Sequence, residues 1–159
     1  MQASDSQGVE VRRAGPRDVL ALMTLRASWR ETAVSKASSS EFLAWFEREG
    51  SHRWWWLAED PAGGAIGMVN LKVFHKMRSP GCNAGRWGYL ANLFVHPAYR
   101  GEGLGARLVA LLLAANHEEG LVRVVFSPSV QSVPLYRRAG FLPADMLLAW
   151  QPPTKDVKG

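Results

Sequence analysis

Val95-His96-Pro97-Ala98-Tyr99-Arg100-Gly101-Glu102-Gly103-Leu104-Gly105-Ala106-Arg107-Leu108 decides how the rest of the chain is read. It joins a strand-like run over 89–95 to a helix-like run over 104–119. Pro97 has no N–H to donate and ends the strand. Gly101, Gly103 and Gly105 remove Cβ atoms where backbone bends tightly or comes close to something. The helix that follows leaves its first N–H groups without partners inside the helix. Those donors, the positive end of the helix dipole and Arg100 beside them suit a phosphate-bearing ligand.

Other glycine-rich loops fit less well. No Lys-Ser or Lys-Thr follows these glycines, so a phosphate loop of the G-x-x-x-x-G-K-[ST] kind is absent. The dinucleotide pattern G-x-G-x-x-[GA] matches Gly101, Gly103 and Ala106. It needs an acidic residue about 20 positions on, near the end of the next strand. Here that strand runs into Ser127-Pro128. A tight turn with no ligand is the plainest remaining reading.

The stretch resembles the acetyl-CoA signature of the GCN5-related N-acetyltransferases, [RQ]-x-x-G-x-[GA], here Arg100-Gly101-Glu102-Gly103-Leu104-Gly105. A second match is Leu135-Tyr136-Arg137-Arg138-Ala139-Gly140-Phe141, the family's L-Y-x-x-x-G-F. One helix and one strand separate the two, as in the family. The resemblance is close in the second half and only a compatible pattern of elements in the first. It implies an acetyl-CoA-dependent N-acetyltransferase that moves an acetyl group to an amine of a small molecule or peptide, in a ternary complex. Backbone near Leu93, Phe94 and Val95 would face the thioester and pantetheine. Backbone of Arg100, Gly101, Glu102, Gly103, Leu104, Gly105 and Ala106 would hold the pyrophosphate.

The bulk properties agree with that reading. A chain of 159 residues with 47% hydrophobic content suits one domain, set at 8–151 between flexible tails at 1–7 and 152–159. No apolar run reaches the ~18 residues that cross a membrane. The polar start of the chain lacks a secretory segment, and Cys82 stands alone, so a cytoplasmic setting is expected. No Cys/His cluster offers a metal site. The net charge of +5 is spread along the chain rather than gathered in a block, which argues against nucleic acid and suits an anionic cosubstrate.

Read in order, 7–13 is a first strand and 16–31 a helix opened by Pro16. Residues 34–40 form a loop whose last serine caps a second helix ending at Gly50. A hairpin follows, with Trp54-Trp55-Trp56 on its first strand and Asp60-Pro61-Ala62-Gly63-Gly64 as its turn. The strand over 86–95 leads into the glycine turn. After the helix come a short apolar strand over 121–126, a helix over 130–139 and a last strand over 141–150. The order β-α-α-β-β-β-α-β-α-β gives an α/β fold (α+β, mixed sheet), antiparallel in its first half, which matches the family fold. In that fold the strands flanking the glycine turn and its helix run parallel and splay apart, admitting the pantetheine arm.

Acetyl transfer needs a neutral amine, a donor to the oxyanion and a proton for the leaving thiolate. The resemblance places Tyr136 where the family often has that proton donor; the plain reading is a packed helix tyrosine. Ser129 stands where the family commonly has an asparagine touching the cofactor; the plain reading is a helix cap. No carboxylate lies on the strand over 86–95, so a general base is not evident. Asn92 is its inward polar candidate, and Glu31 at the end of the first helix is another. Without a base, an α-amine of pKa ~8 is a better acceptor than a lysine near ~10.4. The tryptophans read as core, with an acceptor pocket as the sharper alternative. The missing carboxylate also motivates another class, a non-catalytic acyl-CoA-binding or regulatory module. A homodimer paired through the last strand and the Trp-rich hairpin is a further expectation.

Overall fold

The computed structural model describes residues 8–82 and 84–152; the expected tails lie outside this range except for Pro152, which is exposed. Among the described residues, five strands form one sheet in the order β1-β2-β3-β4-β5. They are β1 Glu10–Ala14, β2 Arg53–Glu59, β3 Ala65–His75, β4 Arg86–Val95 and β5 Val124–Val125. The first three pairings are antiparallel and β4 with β5 is parallel. The α-helices of the described residues are α1 Val19–Trp29, α2 Lys36–Glu49, α3 Leu104–Glu118 and α4 Val133–Arg138.

Alternation along β2 explains why a strand this apolar sits centrally. Trp54 and Trp56 pack on one face with Leu108, Val109 and Leu112 of α3. Trp55 and Leu57 pack on the other, with Leu22 and Leu25 of α1. Both faces are covered, so a run of apolar residues satisfies both cores. All three tryptophans are buried, so the hairpin presents none of them to a second chain.

β1 is fastened to the entry of α1 by charge. The Arg12 guanidinium bonds Asp18 at 2.8 Å and Glu59 at 2.9 Å. Hydrogen bonding from Arg12 holds the Asp18 carboxyl below its ordinary value, against the upward push of burial. A carboxyl depressed in the folded state adds stability that is complete above its unfolded pKa of ~3.9 and lost as pH falls through the folded value. Asp18→Asn is therefore expected to flatten the fall of melting temperature on acidification. Parallel acid profiles for parent and variant would refute this.

Four expectations need correction. Helix α2 starts earlier than the loop over 34–40 allows: the Ser35 hydroxyl accepts from the Ser38 N–H at 3.1 Å, so Ser35, not Ser40, is the cap. On α3 the spacing of Leu104, Leu108, Leu111, Leu112 and Ala115 predicts one buried face, but Val109 is buried there while Leu111 is 41% exposed. β5 spans two residues rather than six. The last strand over 141–150 does not form: Pro143 has no N–H to give a ladder, and β5 is too short to template one. Leu142, Met146, Leu148 and Trp150 are left exposed there. No described helix is long and apolar enough to cross a membrane.

Two features of β4 position the site. Its register against β3 shifts, with Met68 opposite Phe94 but Asn70 opposite Ala91, so β4 carries one extra residue. Asn92 absorbs it with φ +56°, a conformation asparagine tolerates better than most residues. Pairing with β5 covers only Gly88 and Tyr89. Beyond them, among the described residues, β4 has no strand beside it on that side.

Candidate active site

Where β4 and β5 part, a groove of about 680 Å³ opens. Leu93, Phe94 and Val95 of β4 form its floor, and Arg100, Gly101 and the segment Gly103–Ala106 form its mouth. The turn is built as the glycines require. Gly101 has φ +85° and Gly103 φ +78°, the left-handed region that suits glycine. Gly103 is the residue that opens α3, and the first helical bond runs from the Arg107 N–H to its carbonyl. The N–H groups of Leu104, Gly105 and Ala106 therefore have no acceptor within the helix. Gly105 serves packing instead: a Cβ there would stand 3.3 Å from the Leu135 side chain on α4.

Arg100 is aimed by the strand that precedes it. Its Nε donates to the Val95 carbonyl at 2.9 Å, and its guanidinium lies over the Phe94 ring. Trp29, from the end of α1, stacks on the same ring at 5.5 Å and lines the groove. Ser132, just before helix α4, and Leu135 and Arg138 within it line the groove three residues apart. Two cations, Arg100 and Arg138, thus border a mouth already rich in amide donors.

The expected cofactor residues meet here with three exceptions. Glu102 shares the turn but does not line the groove. Ser129 precedes the turn Val130–Ser132, where its hydroxyl donates to the Ser132 hydroxyl at 3.0 Å, and Ser132 faces the groove in its place. Tyr136 lies on the other side of α4, in a separate cavity of about 260 Å³ shared with Phe126 and Phe141. Its ring packs on both, and burial pushes its phenol up to about 12. Glu31 is exposed in a turn at φ +52° and lines no part of the groove. Trp29, a core or acceptor-pocket residue by its sequence, lines the groove, and Tyr99, Ser132, Leu135 and Arg138 join it without a sequence expectation. The spacing of 132, 135 and 138 was a usable signal for the last three.

A smaller cavity, about 40 Å³, lies between α1, α2 and the sheet. Asn92 and Arg26 reach it among Leu22, Phe42, Trp45, Trp55 and Met68. Asn92 is set by a relay. Glu49 accepts from Arg53 at 2.6 Å and from Lys72 at 2.9 Å. Burial pushes the Glu49 carboxyl up, but these two bonds outweigh it and hold it low. Arg53 then donates to Oδ1 of the fully buried Asn70 at 2.5 Å, and Asn70 Nδ2 donates to Asn92 Oδ1 at 2.9 Å.

Comparison with known proteins bears on this geometry. Residues 19–141 match the family described as Acetyltransferase (GNAT) family. A glucosamine 6-phosphate N-acetyltransferase of Trypanosoma brucei brucei is 31% identical over 81 residues, 51% of this chain and 53% of that protein. The match thus spans about half the length of that curated relative. Among solved structures, an acetyltransferase of Trypanosoma brucei superposes with a TM-score of 0.71 at 22% identity, over 91% of this chain and 99% of that one. A predicted acetyltransferase of Clostridium acetobutylicum, solved with acetyl-CoA, gives 0.72 at 20% identity, over 90% and 96%. The structural likenesses speak for the fold, and the family match runs from α1 through both sequence motifs. The chain belongs to the GNAT family of acetyltransferases.

Proposed function

We propose that this chain transfers an acetyl group from acetyl-CoA to an amine. The observation that carries the reading is the groove mouth, where the unpaired N–H groups of Leu104, Gly105 and Ala106 face the same space as Arg100 and Arg138. Amide donors at a helix start, joined by two cations, suit a diphosphate. The unpaired side of β4 from Leu90 to Val95 offers backbone partners to an amide-bearing arm, as an added strand would use them. A volume of about 680 Å³ falls in the range of cofactor sites.

In the reaction the amine attacks the thioester carbonyl carbon and the C–S bond breaks. The amine gives up one proton and the departing thiolate takes one up. The residues proposed for cofactor contact are those of the mouth and floor, with Ser132 in place of Ser129. Tyr136 is the proposed partner of the thiolate on its motif alone, since its ring occupies the neighbouring cavity and the contact requires α4 to turn it toward the groove. Its hydroxyl has no hydrogen-bonding group shifting it among the described residues. A phenol held near 12 gives its proton to a thiolate of pKa ~8.5 only well uphill, so its role is to donate a hydrogen bond to the developing charge.

The test is release of free thiol from acetyl-CoA across a panel of amines, beside calorimetry with acetyl-CoA. Heat and amine-dependent thiol are expected. Binding without thiol from any amine would leave a non-catalytic module, and absence of binding would end the reading altogether. Tyr136→Phe is expected to lower turnover by at least roughly tenfold with acetyl-CoA affinity little changed. Unchanged turnover would remove Tyr136 from the mechanism.

A further inference from the structure

Among the described residues, the polar side chains that reach the cavity beneath α1 and α2 are Arg26 and Asn92, and both can offer donors to it. Its apolar walls, Leu22, Phe42, Trp45, Trp55 and Met68, supply no oxygen acceptor. Arg26 is half-buried, lies over the Trp29 ring at 4.7 Å, and has no carboxylate at ion-pair distance among the described residues. Arg30 adds positive charge nearby rather than cancelling it. Burial lowers the Arg26 pKa, yet a guanidinium stays charged at any working pH. A half-buried cation without a counter-ion is unfavourable until a ligand provides one.

The orientation of Asn92 follows from the relay. A guanidinium can only donate, so Asn70 must turn its oxygen to Arg53 and its NH₂ to Asn92. Asn92 must therefore turn its own oxygen to Asn70. Its NH₂ is left over for the cavity that Asn92 lines. The next residue, Leu93, lines the groove. The cavity is thus one residue along the bulge from where the acyl group is proposed to lie.

We propose that the acceptor is an amine whose molecule also carries a carboxylate, as an amino acid does, and that Arg26 and the Asn92 amide receive that carboxylate in this cavity. The proposal rests on the acetyl-transfer reading above and names its substrate class. The room, about 40 Å³, exceeds the ~30 Å³ share of one water and matches a group of carboxylate size. Arg26 does more than anchor. A carboxylate beside an amine favours its charged form, and pairing that carboxylate with a guanidinium relieves the effect. The amine then reaches its neutral, attacking form more easily, which matters in a groove that no carboxylate of the described residues lines.

The experiment is thiol release with amino acids, each paired with its own carboxamide, at one acetyl-CoA concentration. The parent is expected to favour the acid over the amide at least tenfold in kcat/KM. Arg26→Leu is expected to shrink that ratio at least tenfold, with Arg26→Lys keeping part of it. A parent ratio near one or in favour of the amide, or a ratio that Arg26→Leu does not move, would overturn the proposal. So would a phosphorylated amino sugar that outruns every amino acid. The parent ratio decides even where the variant fails to fold. Thiol release with no amine of any charge would overturn the transfer reading itself, a different failure.

Discussion

Gly103→Val is expected to weaken acetyl-CoA binding by roughly 30- to 150-fold, equivalent to about 2–3 kcal/mol. Gly103 opens α3 at φ +78° and ψ 7°, where a β-branched side chain is a genuine outlier. The variant has two ways out. It holds the left-handed turn under strain, or it rotates out and carries the amide donors of Leu104 and Gly105 away from the groove. In the second case binding has to force the turn back, so the strain appears in the affinity. Gly120→Val is the control. Gly120 also has positive φ, at +67°, and a Cβ there meets nothing within 4 Å. It lies past the far end of α3, distant in sequence from the mouth. Comparable losses of stability are expected in both variants, but loss of affinity only in Gly103→Val. Calorimetry with acetyl-CoA and thermal melting separate the two. Parent-like affinity in Gly103→Val would mean that the left-handed turn does not hold the ligand.

The parts of this molecule that the sequence made legible depend on short-range rules. The glycine turn is a local backbone requirement, and Gly101 and Gly103 do adopt the positive φ that only glycine takes freely. The alternation Trp54-Trp55-Trp56 is a period of two, so the split of these rings between two cores could be read directly. The illegible parts depend on what is brought from elsewhere. An apolar stretch over 141–150 reads as a strand, but a strand needs a neighbour, and β5 is two residues long. Asn92 was visible as a polar residue on a strand. Its bulge was not, because the extra residue shows only against the register of β3. Tyr136 and Leu135 are adjacent in one motif, yet a helix turns them to different cavities. Arg26 gave no signal at all, since its interest lies in the carboxylate it does not have.

Asn70→Leu is expected to destabilise the fold by about 2–4 kcal/mol and, separately, to impair transfer. Asn70 is the one polar side chain in the buried core among the described residues, at 0% exposure. Leucine keeps much of its volume, so the effect is not a cavity. The loss is of partners on both sides. Arg53, 15% exposed at its side chain, keeps Glu49 but loses its bond to Oδ1, and Asn92 Oδ1 loses its donor. Each buried polar group left unpaired costs about 1–3 kcal/mol. For a domain of this size the melting temperature should fall by about 5–15 °C. The functional loss has a different origin. Without Asn70 nothing dictates which end of the Asn92 amide faces the cavity, so the donor is presented only part of the time. Glu49→Gln separates the two effects. It weakens the charged anchor of Arg53 and Lys72 but leaves the two asparagines bonded. It is expected to lower stability while sparing turnover far more than Asn70→Leu does, measured below both melting transitions. Equal losses of turnover in the two variants would mean that the relay supports the fold and does not orient Asn92.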